Sequence, residues 1–518
     1  MSTRRFLLIV FALALVVRVW DLADLGLNTD ELYIAKHALA LAPMEFVEDV
    51  HPPAYTLATR AVAAVAPGGP EMKTRLWSVL CGSAFVVLLA YLGFLVGGDK
   101  GALLAAALAV FDPTLVALSR LGRSYMMAAL VLGGTLPLVW HTVRSPRRGR
   151  VIALGLLNGL ALYTFYYALY ILAAQLVVAF VAGKRDPAAR KALISANAIA
   201  GVLFLPWVPT LLRQFLRVTE GGGWTVWPLT PYQIVRRFVQ LAVTVSPFNA
   251  LGELAYQYGP RVGALVLCAL AILIGARAVS VVRKRQADLG GLAIADAGGR
   301  IGLGLPVVYL AVPFALAYLT HALFGVLIGF PYFAFAATAV WVIVLIALDP
   351  VYLPRMSRSV VVAATVASQL ALYPHAVAEH REDIREAVAD FDAHAAPGAK
   401  ALTVASFVRD GFLVYSGRSE AAVGLPADLP GRETVGRERA GRLAESDRAA
   451  FVDAVADAPE VWLVLSHEMR GEIDRGEGLS RQWLSELGYR EMEIQRAAGV
   501  RWGRWMKTNK PSETEAVE

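Results

Sequence analysis

Length and composition place most of this chain in a membrane. It has 518 residues, of which 57% are hydrophobic and 18% are charged, with a formal net charge of +7. A soluble globular domain carries about 25% charged residues. Most of the chain must therefore be solvated by lipid, which excludes an ordinary soluble enzyme and predicts an α-helical polytopic membrane protein.

Long uncharged stretches predict the membrane spans. Residues 76–96 and 192–212 each hold 21 uncharged residues, which matches the roughly 20 residues that a helix needs to cross a hydrocarbon core. Residues 151–183 and 301–348 are too long for one crossing and are interpreted as helical hairpins. About eleven spans are predicted: 6–20, 76–96, 102–118, 124–141, 151–165, 166–182, 192–212, 262–282, 301–320, 325–348 and 359–375.

Basic residues orient these spans. When eleven spans are threaded, the lysine and arginine clusters fall on one side, which the positive-inside tendency assigns to the cytoplasm. The N-terminus is then cytoplasmic and the C-terminal region extracytoplasmic, in a multi-pass protein of the plasma (inner) membrane. Because the net charge follows from topology, no nucleic-acid partner is expected. The clusters are Arg4-Arg5, Lys100, Arg144 to Arg150, Lys184 to Lys191, Arg283 to Arg285, and Arg355 with Arg358.

Some features of the spans bear on processing and redox chemistry. The first apolar run lacks a small-residue cleavage site before Trp20, so a retained signal anchor is expected. Arg18 and Arg277 lie close enough to span ends to snorkel toward the interface. Cys81 and Cys268 both lie in apolar spans, so neither a disulfide nor a cysteine metal site is expected.

Composition divides the chain into three regions. Residues 1–375 form the predicted membrane module, with long external loops at 21–75 and 213–261. Residues 376–507 alternate strand and helix patterns, which predicts a small extracytoplasmic α/β domain, and residues 508–518 are expected to be disordered. In that domain the patterns predict helices at 380–391, 447–458 and 480–487, strands at 401–406 and 461–466, and a strand pair over 491–506.

The first external loop is unusually acidic. Asp30 and Glu31 stand out because they precede a helical pattern that begins at Leu32. Asp30 can serve as the N-cap of that helix, or it can act chemically; most of the other acids fit a solvated loop. The loop holds eight acids: Asp21, Asp24, Asp30, Glu31, Glu45, Glu48, Asp49 and Glu71.

A diproline follows His51 in the same loop. Two prolines fix φ and bias the preceding residue toward an extended conformation. The loop can therefore present the His51 side chain rigidly beside the membrane. An ordinary turn would use the same residues, so the pattern alone leaves both interpretations open.

Several short motifs, in their order along the chain, resemble those of polyprenyl-phosphate-sugar-dependent glycosyltransferases with the GT-C fold. The similarity is to the protein O-mannosyltransferases and lipid A aminoarabinose transferases of family 39 and its neighbours. It does not extend to the C-terminal region. The motifs are Asp30-Glu31, His51 to Tyr55, Arg75 to Leu80, Ser119 to Tyr125 and Leu205 to Pro209.

The resemblance implies a reaction. A sugar on a polyprenyl phosphate already has a good leaving group, so the enzyme needs a base near the acceptor hydroxyl and cations near the phosphate. The resemblance implies that Asp30 is this base, and that Glu31 is its helper or binds a sugar hydroxyl. One base assisting direct displacement implies inversion at the anomeric carbon, whereas glycosidases usually use two carboxylates.

Further residues are expected to bind the substrate. Arginine presents a planar fork that suits phosphate oxygens, although arginines at span ends also anchor helices at the interface. His51 stands where the aminoarabinose transferases carry a lysine, a departure that argues against the aminoarabinose reaction. The expected binding residues are Asp49, His51, Arg75, Arg120, Arg123 and Tyr125.

No cofactor is expected. Glu48, Asp49 and His51 can supply ligands to a divalent ion, but a hard-cation site needs several converging oxygens, which adjacency in sequence does not provide. Asp112 lies in an apolar stretch before Pro113. It is a functional candidate by default or marks the end of a span, and it is not assigned to the site.

The expected partners are a polyprenyl-phosphate-linked sugar donor, a lipid, glycan or protein acceptor, and membrane lipids. One alternative is a polyprenyl-linked glycolipid transporter or flippase without chemistry, and another is a receptor or scaffold that works through its external domain. Transporters usually place polar residues at mid-membrane and show repeated halves. Here the acids concentrate in an external loop and no repeat is visible, which favours the transferase.

Overall fold

The structure is a computed structural model, and it describes most of the chain. Asp49, most of the loop 213–261, much of the eighth and tenth predicted spans and the last ten residues lie outside the described part. The described residues are 2–41, 51–184, 186–220, 230, 244, 246–250, 269, 272–281, 283, 301–324, 336–349, 355–378, 383–404, 406–426, 428–429, 443–466 and 477–508.

The first part of the chain is helical. In the described part, ten helices up to residue 220 are labelled α1 to α10, and further helices follow, including the short apolar helix Ile272–Val281. The others are α1 Thr3–Val19, α2 Thr29–Ala38, α3 Ala54–Ala63, α4 Pro70–Ala109, α5 Pro113–Ser119, α6 Tyr125–Arg144, α7 Arg148–Thr164, α8 Ala168–Gly183, α9 Pro187–Phe204, α10 Val208–Glu220, and then Gly304–Phe324, Ala337–Ala347 and Arg355–Ala378.

Many of these helices are long and apolar enough to cross a membrane, so the chain is a multi-pass membrane protein. Among the described residues, five helices meet that length and composition: Pro70–Ala109, Tyr125–Arg144, Pro187–Leu216, Gly304–Phe324 and Met356–Val377. Three shorter apolar helices accompany them. The number of eleven crossings stays a prediction.

The predicted hairpin over residues 151–183 is present, because α7 ends at Thr164 and α8 begins at Ala168. The second and third predicted spans are joined as α4, which breaks at Gly97 and Gly98. Gly98 has φ +63°, a conformation that favours glycine because other residues meet steric cost there.

The prediction of residues 102–118 as one continuous span was wrong. This stretch is interrupted at Asp112, whose side chain accepts a hydrogen bond from Leu115 N at 2.9 Å and caps α5. Pro113 occupies the first turn of α5, where its missing N–H costs nothing. Asp112 is therefore a helix cap, although one of its carboxylate oxygens has no hydrogen-bond partner.

Arg18 does not snorkel as predicted. Its side chain is buried, and its Nε donates to Ser119 Oγ at 3.0 Å. Its Nη1 donates to the carbonyls of Ala14 and Val110. These acceptors belong to α1 and to the end of α4 with α5, so the guanidinium joins helices instead of reaching the interface.

The C-terminal region contains a five-stranded sheet of order β2-β1-β3-β5-β4. Strands β1, β2 and β3 are parallel, while β5 pairs antiparallel with β3 and β4. The elements predicted from sequence are present, and two short ones, β2 and the helix after β1, were missed. In order they are Ile384–His394, β1 Lys400–Val404, Arg409–Tyr415, β2 Ala422–Leu425, Arg448–Val455, β3 Glu460–Ser466, Glu477–Glu486, β4 Tyr489–Ala497 and β5 Val500–Lys507.

Helix α2 lies between this sheet unit and the membrane bundle. Leu32 and Ala35 belong to a core that includes Phe412 from the sheet unit. Ile34 and Ala38 belong to the core of the bundle. The 3.6-residue period of a helix points these two pairs in different directions. The start of α2 with the chain before it (the acidic segment, residues 21–31) and the sheet unit (the C-terminal unit, residues 383–508) are therefore on the same side of the bundle.

Candidate active site

Helix α2 begins with a capping box. The Asn28 side chain accepts from Glu31 N at 3.0 Å, and Glu31 Oε2 accepts from Asn28 N at 3.1 Å. Asn28 is thus the N-cap, and the suggestion that Asp30 caps the helix was wrong, because the reciprocal pair places the helix start two residues earlier. Asp30 lies in the first turn, with its side chain 64% exposed.

Glu31 is buried and fully engaged. Its two oxygens accept from Arg75 Nε at 2.8 Å, Arg75 Nη2 at 2.7 Å, Gly122 N at 2.7 Å and Asn28 N. A carboxylate offers about four lone-pair sites, so these donors occupy them all. The expected role of Glu31 as a chemical helper or sugar ligand is not supported by this geometry; its carboxylate instead joins α2, α4 and the turn before α6.

Arg75 uses all of its donors inside the protein. Besides Glu31, its guanidinium donates to the carbonyls of Leu22, Leu25 and Gly26 at 2.8 to 3.0 Å. A guanidinium has five N–H groups, and each has an acceptor here. No N–H group of Arg75 is therefore left for the expected contact with a donor phosphate.

Arg120 is also buried, and it binds backbone at the end of α1. Its Nη1 donates to the carbonyls of Arg18 and Trp20, and its Nη2 donates to Asp21 O at 2.8 Å. The last carbonyls of a helix lack intrahelical partners and attract cations. The position of Arg120 fits this structural role better than the expected phosphate contact.

Arg123 is the predicted arginine that meets the other site residues. Its Nη1 donates to Asp30 O at 3.2 Å, and its Nη2 lies 3.3 Å from His51 Nε2. The same Nη2 is 3.8 Å from the Asp30 carboxylate. The structure thus brings Asp30, His51 and Arg123, three of the eight predicted site residues, together at the start of α2.

The backbone of Arg123 is fixed by residues that the sequence reasoning quoted in motifs but did not assign. Ser78 Oγ donates to Arg123 O at 3.0 Å, and Tyr55 OH lies 2.7 Å from Ser78 Oγ. Gly122 also approaches closely, since a Cβ there would lie 2.8 Å from Thr74 Cγ2. The motifs His51 to Tyr55, Arg75 to Leu80 and Ser119 to Tyr125 therefore meet in space.

The remaining predicted site residues contribute less. Tyr125 is 5% exposed and packs in the bundle core, so a role in binding substrate is not supported. Asp49 and Glu48 lie outside the described residues. In the described part of the chain, no group of three or more His, Cys, Asp or Glu side chains comes together for a metal ion. Independence from metal stays a prediction.

Side chains of the C-terminal unit reach the segment just before α2. Leu27 N donates to Tyr415 OH at 2.9 Å, and Gly26 N donates to Asp383 Oδ2 at 3.3 Å. The sequence reasoning found no site residue beyond Pro209. No local pattern could have revealed these contacts, because they join positions more than 350 residues apart.

The different surroundings of Asp30 and Glu31 predict different effects on stability. Glu31→Gln leaves Arg75 buried without its counter-charge, which we expect to cost about 3–5 kcal/mol in the free energy of unfolding. Asp30→Asn changes an exposed side chain and is expected to cost less than about 1 kcal/mol. Equilibrium unfolding of both variants in detergent tests this, and equal losses would contradict the structural role of Glu31.

A family model matches the part of the chain that contains most of the sequence motifs. Residues 50–209 match a family model described as dolichyl-phosphate-mannose-protein mannosyltransferase. This segment contains His51 and Arg123 but not Asp30. No match was found among curated proteins.

Solved structures are similar over nearly the whole chain. The oligosaccharyltransferase of Archaeoglobus fulgidus, solved with Zn and sulfate, is 12% identical with a TM-score of 0.53, covering 97% of this chain and 73% of that one. ArnT from Cupriavidus metallidurans bound to undecaprenyl phosphate is 15% identical with a TM-score of 0.50, covering 97% and 98%. At such identity the likeness shows the fold alone. Together with the family model, it confirms that this chain resembles the GT-C polyprenyl-phosphate-sugar-dependent glycosyltransferases of the family 39 type.

Proposed function

We propose that the protein is an inverting glycosyltransferase that moves a sugar from a polyprenyl-phosphate donor to an acceptor hydroxyl on the extracytoplasmic face. One observation carries this proposal. Asp30 is an exposed carboxylate with Arg123 and His51 beside it. The neighbouring side chains of Glu31, Arg75 and Arg120 are already bonded to other protein groups. We therefore assign the chemistry to Asp30, Arg123 and His51.

The step is a direct displacement. The Asp30 carboxylate takes the proton of the acceptor hydroxyl, and the hydroxyl oxygen forms a bond to the anomeric carbon. The bond between that carbon and the phosphate oxygen breaks, and its electron pair leaves with the polyprenyl phosphate. Arg123, with His51 next to it, stabilises the negative charge on the leaving phosphate, since preorganised donors act most strongly where charge develops.

The donor class is supported by the comparisons. The matching family is described by a dolichyl-phosphate sugar, and the ArnT structure holds undecaprenyl phosphate. Both are polyprenyl phosphates. The acceptor hydroxyl then belongs to a lipid, a glycan or a protein that approaches the exposed side of Asp30.

The distribution of basic residues supports the extracytoplasmic placement of the acidic segment. The basic clusters lie on the side opposite to the acidic segment when the predicted spans are threaded, and such clusters favour the cytoplasm. The acidic segment and the C-terminal unit contact each other, so both occupy the same face. An extracytoplasmic Asp30 agrees with both observations.

The first test removes the base. Asp30→Asn should lower the rate of transfer by about 10²- to 10⁴-fold, the usual contribution of a general base, while binding of undecaprenyl phosphate is retained. The measurement is label transferred from radiolabelled hexosyl-phosphoundecaprenol to acceptors in membranes. Asp24→Asn, which changes another exposed acid of the same segment, should behave as wild type. Full activity of Asp30→Asn would refute the base, and label that changes leaflet without transfer would favour a flippase.

The second test concerns stereochemistry. Direct displacement assisted by Asp30, the exposed carboxylate that lies beside Arg123 and His51 in the described part of the chain, predicts that the product has the opposite anomeric configuration to the donor. Nuclear magnetic resonance of the released product glycoside measures this configuration directly. Retention of configuration would contradict a direct displacement.

The third test concerns the phosphate. Arg123→Gln removes a charge-assisted donor, which contributes about 1.5–3 kcal/mol, so the Kd for undecaprenyl phosphate should rise roughly 10- to 100-fold. Binding to the purified protein in detergent provides the measurement. Arg60→Gln changes an exposed arginine on α3 and should leave Kd unchanged. Equal Kd values for Arg123→Gln and wild type would remove Arg123 from the phosphate site.

A further inference from the structure

The geometry points to the C-terminal unit as a positioning part of the active site, acting through Arg385, Tyr415 and Asp383. These residues hold the segment between α1 and α2, residues 22–27, and this segment sets where Asp30 stands. The inference rests on the proposed function, because positioning matters only if Asp30 is the base. None of the three residues touches the reacting atoms.

Arg385 completes the binding of the carbonyls of this segment. Its Nη2 donates to Asp24 O at 2.6 Å, and its Nη1 donates to Ala23 O at 3.4 Å. The carbonyls of the residues on either side are held by Arg75 from the bundle. Every carbonyl from residue 22 to residue 26 is therefore bound by an arginine, and the C-terminal unit supplies one of the two arginines.

Arg385 is itself anchored on the bundle. Its Nη1 lies 3.2 Å from Glu71 Oε1, and Glu71 stands in the first turn of α4. The guanidinium thus bridges the segment and the helix that carries Arg75. A lysine or glutamine could not make all of these contacts, since only the guanidinium fork offers several fixed donors.

The N–H groups at the end of the segment are held in the same way. Leu27 N donates to Tyr415 OH and Gly26 N donates to Asp383. A Cβ on Gly26 would lie 2.2 Å from Asp383 Oδ1, so this close approach requires glycine. Burial raises the pKa of the Tyr415 hydroxyl well above its ordinary value, which keeps it protonated.

These contacts end one residue before the N-cap of α2. The far end of α2 is held by the ion pair of Lys36 with Asp410 at 2.8 Å. The C-terminal unit therefore makes contacts at both ends of α2, the helix that carries Asp30. The backbone of Arg123, in contrast, is fixed from the bundle side by Ser78. Loss of the C-terminal contacts should therefore displace the base and leave the phosphate site in place.

A displacement of about 1 Å can lower a rate by about 10²-fold. We expect Tyr415→Phe and Arg385→Gln to lower kcat for transfer from hexosyl-phosphoundecaprenol by roughly 10- to 100-fold. The Kd for undecaprenyl phosphate should stay close to wild type while kcat falls, a separation that indicates a loss confined to the transition state. The full-length protein in membranes and in detergent is used throughout.

Arg448→Gln provides the matched control. Arg448 is an arginine of the same unit, paired with Glu486 at 2.6 Å and more than half exposed, on a helix that packs on the opposite face of the sheet. Its kcat should equal that of wild type. If Arg385→Gln does not fold, Tyr415→Phe, which removes one hydroxyl, decides the question.

Some outcomes would overturn the inference. An unchanged kcat in both folded variants would show that the contacts do not position the base. A parallel loss of kcat, phosphate binding and Tm in Tyr415→Phe would show that they only stabilise the fold. Asp30→Asn is measured beside them: if it is active, the proposed function fails, whereas if it is inactive and the two variants resemble wild type, only the inference fails.

Discussion

Three arginines hold the non-helical segment between α1 and α2, and the site depends on them. Every backbone carbonyl from Trp20 to Gly26 accepts a hydrogen bond from Arg120, Arg75 or Arg385. Backbone carbonyls need hydrogen-bond partners, and this segment has no helix or strand to supply them. Guanidinium forks supply several donors each, so side chains replace the missing secondary structure.

A buried guanidinium needs a nearby anion, and Glu31 provides it. Removing two charges from water is unfavourable unless their hydrogen bonds are complete, and here Arg75 and Glu31 leave no donor or acceptor unpaired. The same carboxylate forms the capping box with Asn28 and binds Gly122 N. One buried pair therefore sets the start of α2 and places the turn that carries Arg123.

The roles of two adjacent acids follow from this arrangement. Neighbouring residues on a helix point about 100° apart, so Glu31 faces the interior while Asp30 faces outward beside Arg123. The buried charge pair and the proposed catalytic carboxylate are thereby separated within a single turn. The C-terminal unit contributes to the same turn through Arg385 and Tyr415, so residues far apart in the chain share one site.

Local patterns in the sequence determined the membrane class, the hairpin of α7 and α8 and most strands of the C-terminal sheet, because hydropathy, periodicity and short motifs act over a few residues. These local patterns could not distinguish the roles of the individual arginines. Arg75, Arg120 and Arg123 all stand beside spans and look alike in sequence. Only the tertiary structure decided which guanidinium groups are occupied by Glu31 and by backbone carbonyls of residues 18–26, and which one lies beside Asp30 and His51. These partners come from segments that are distant in the chain.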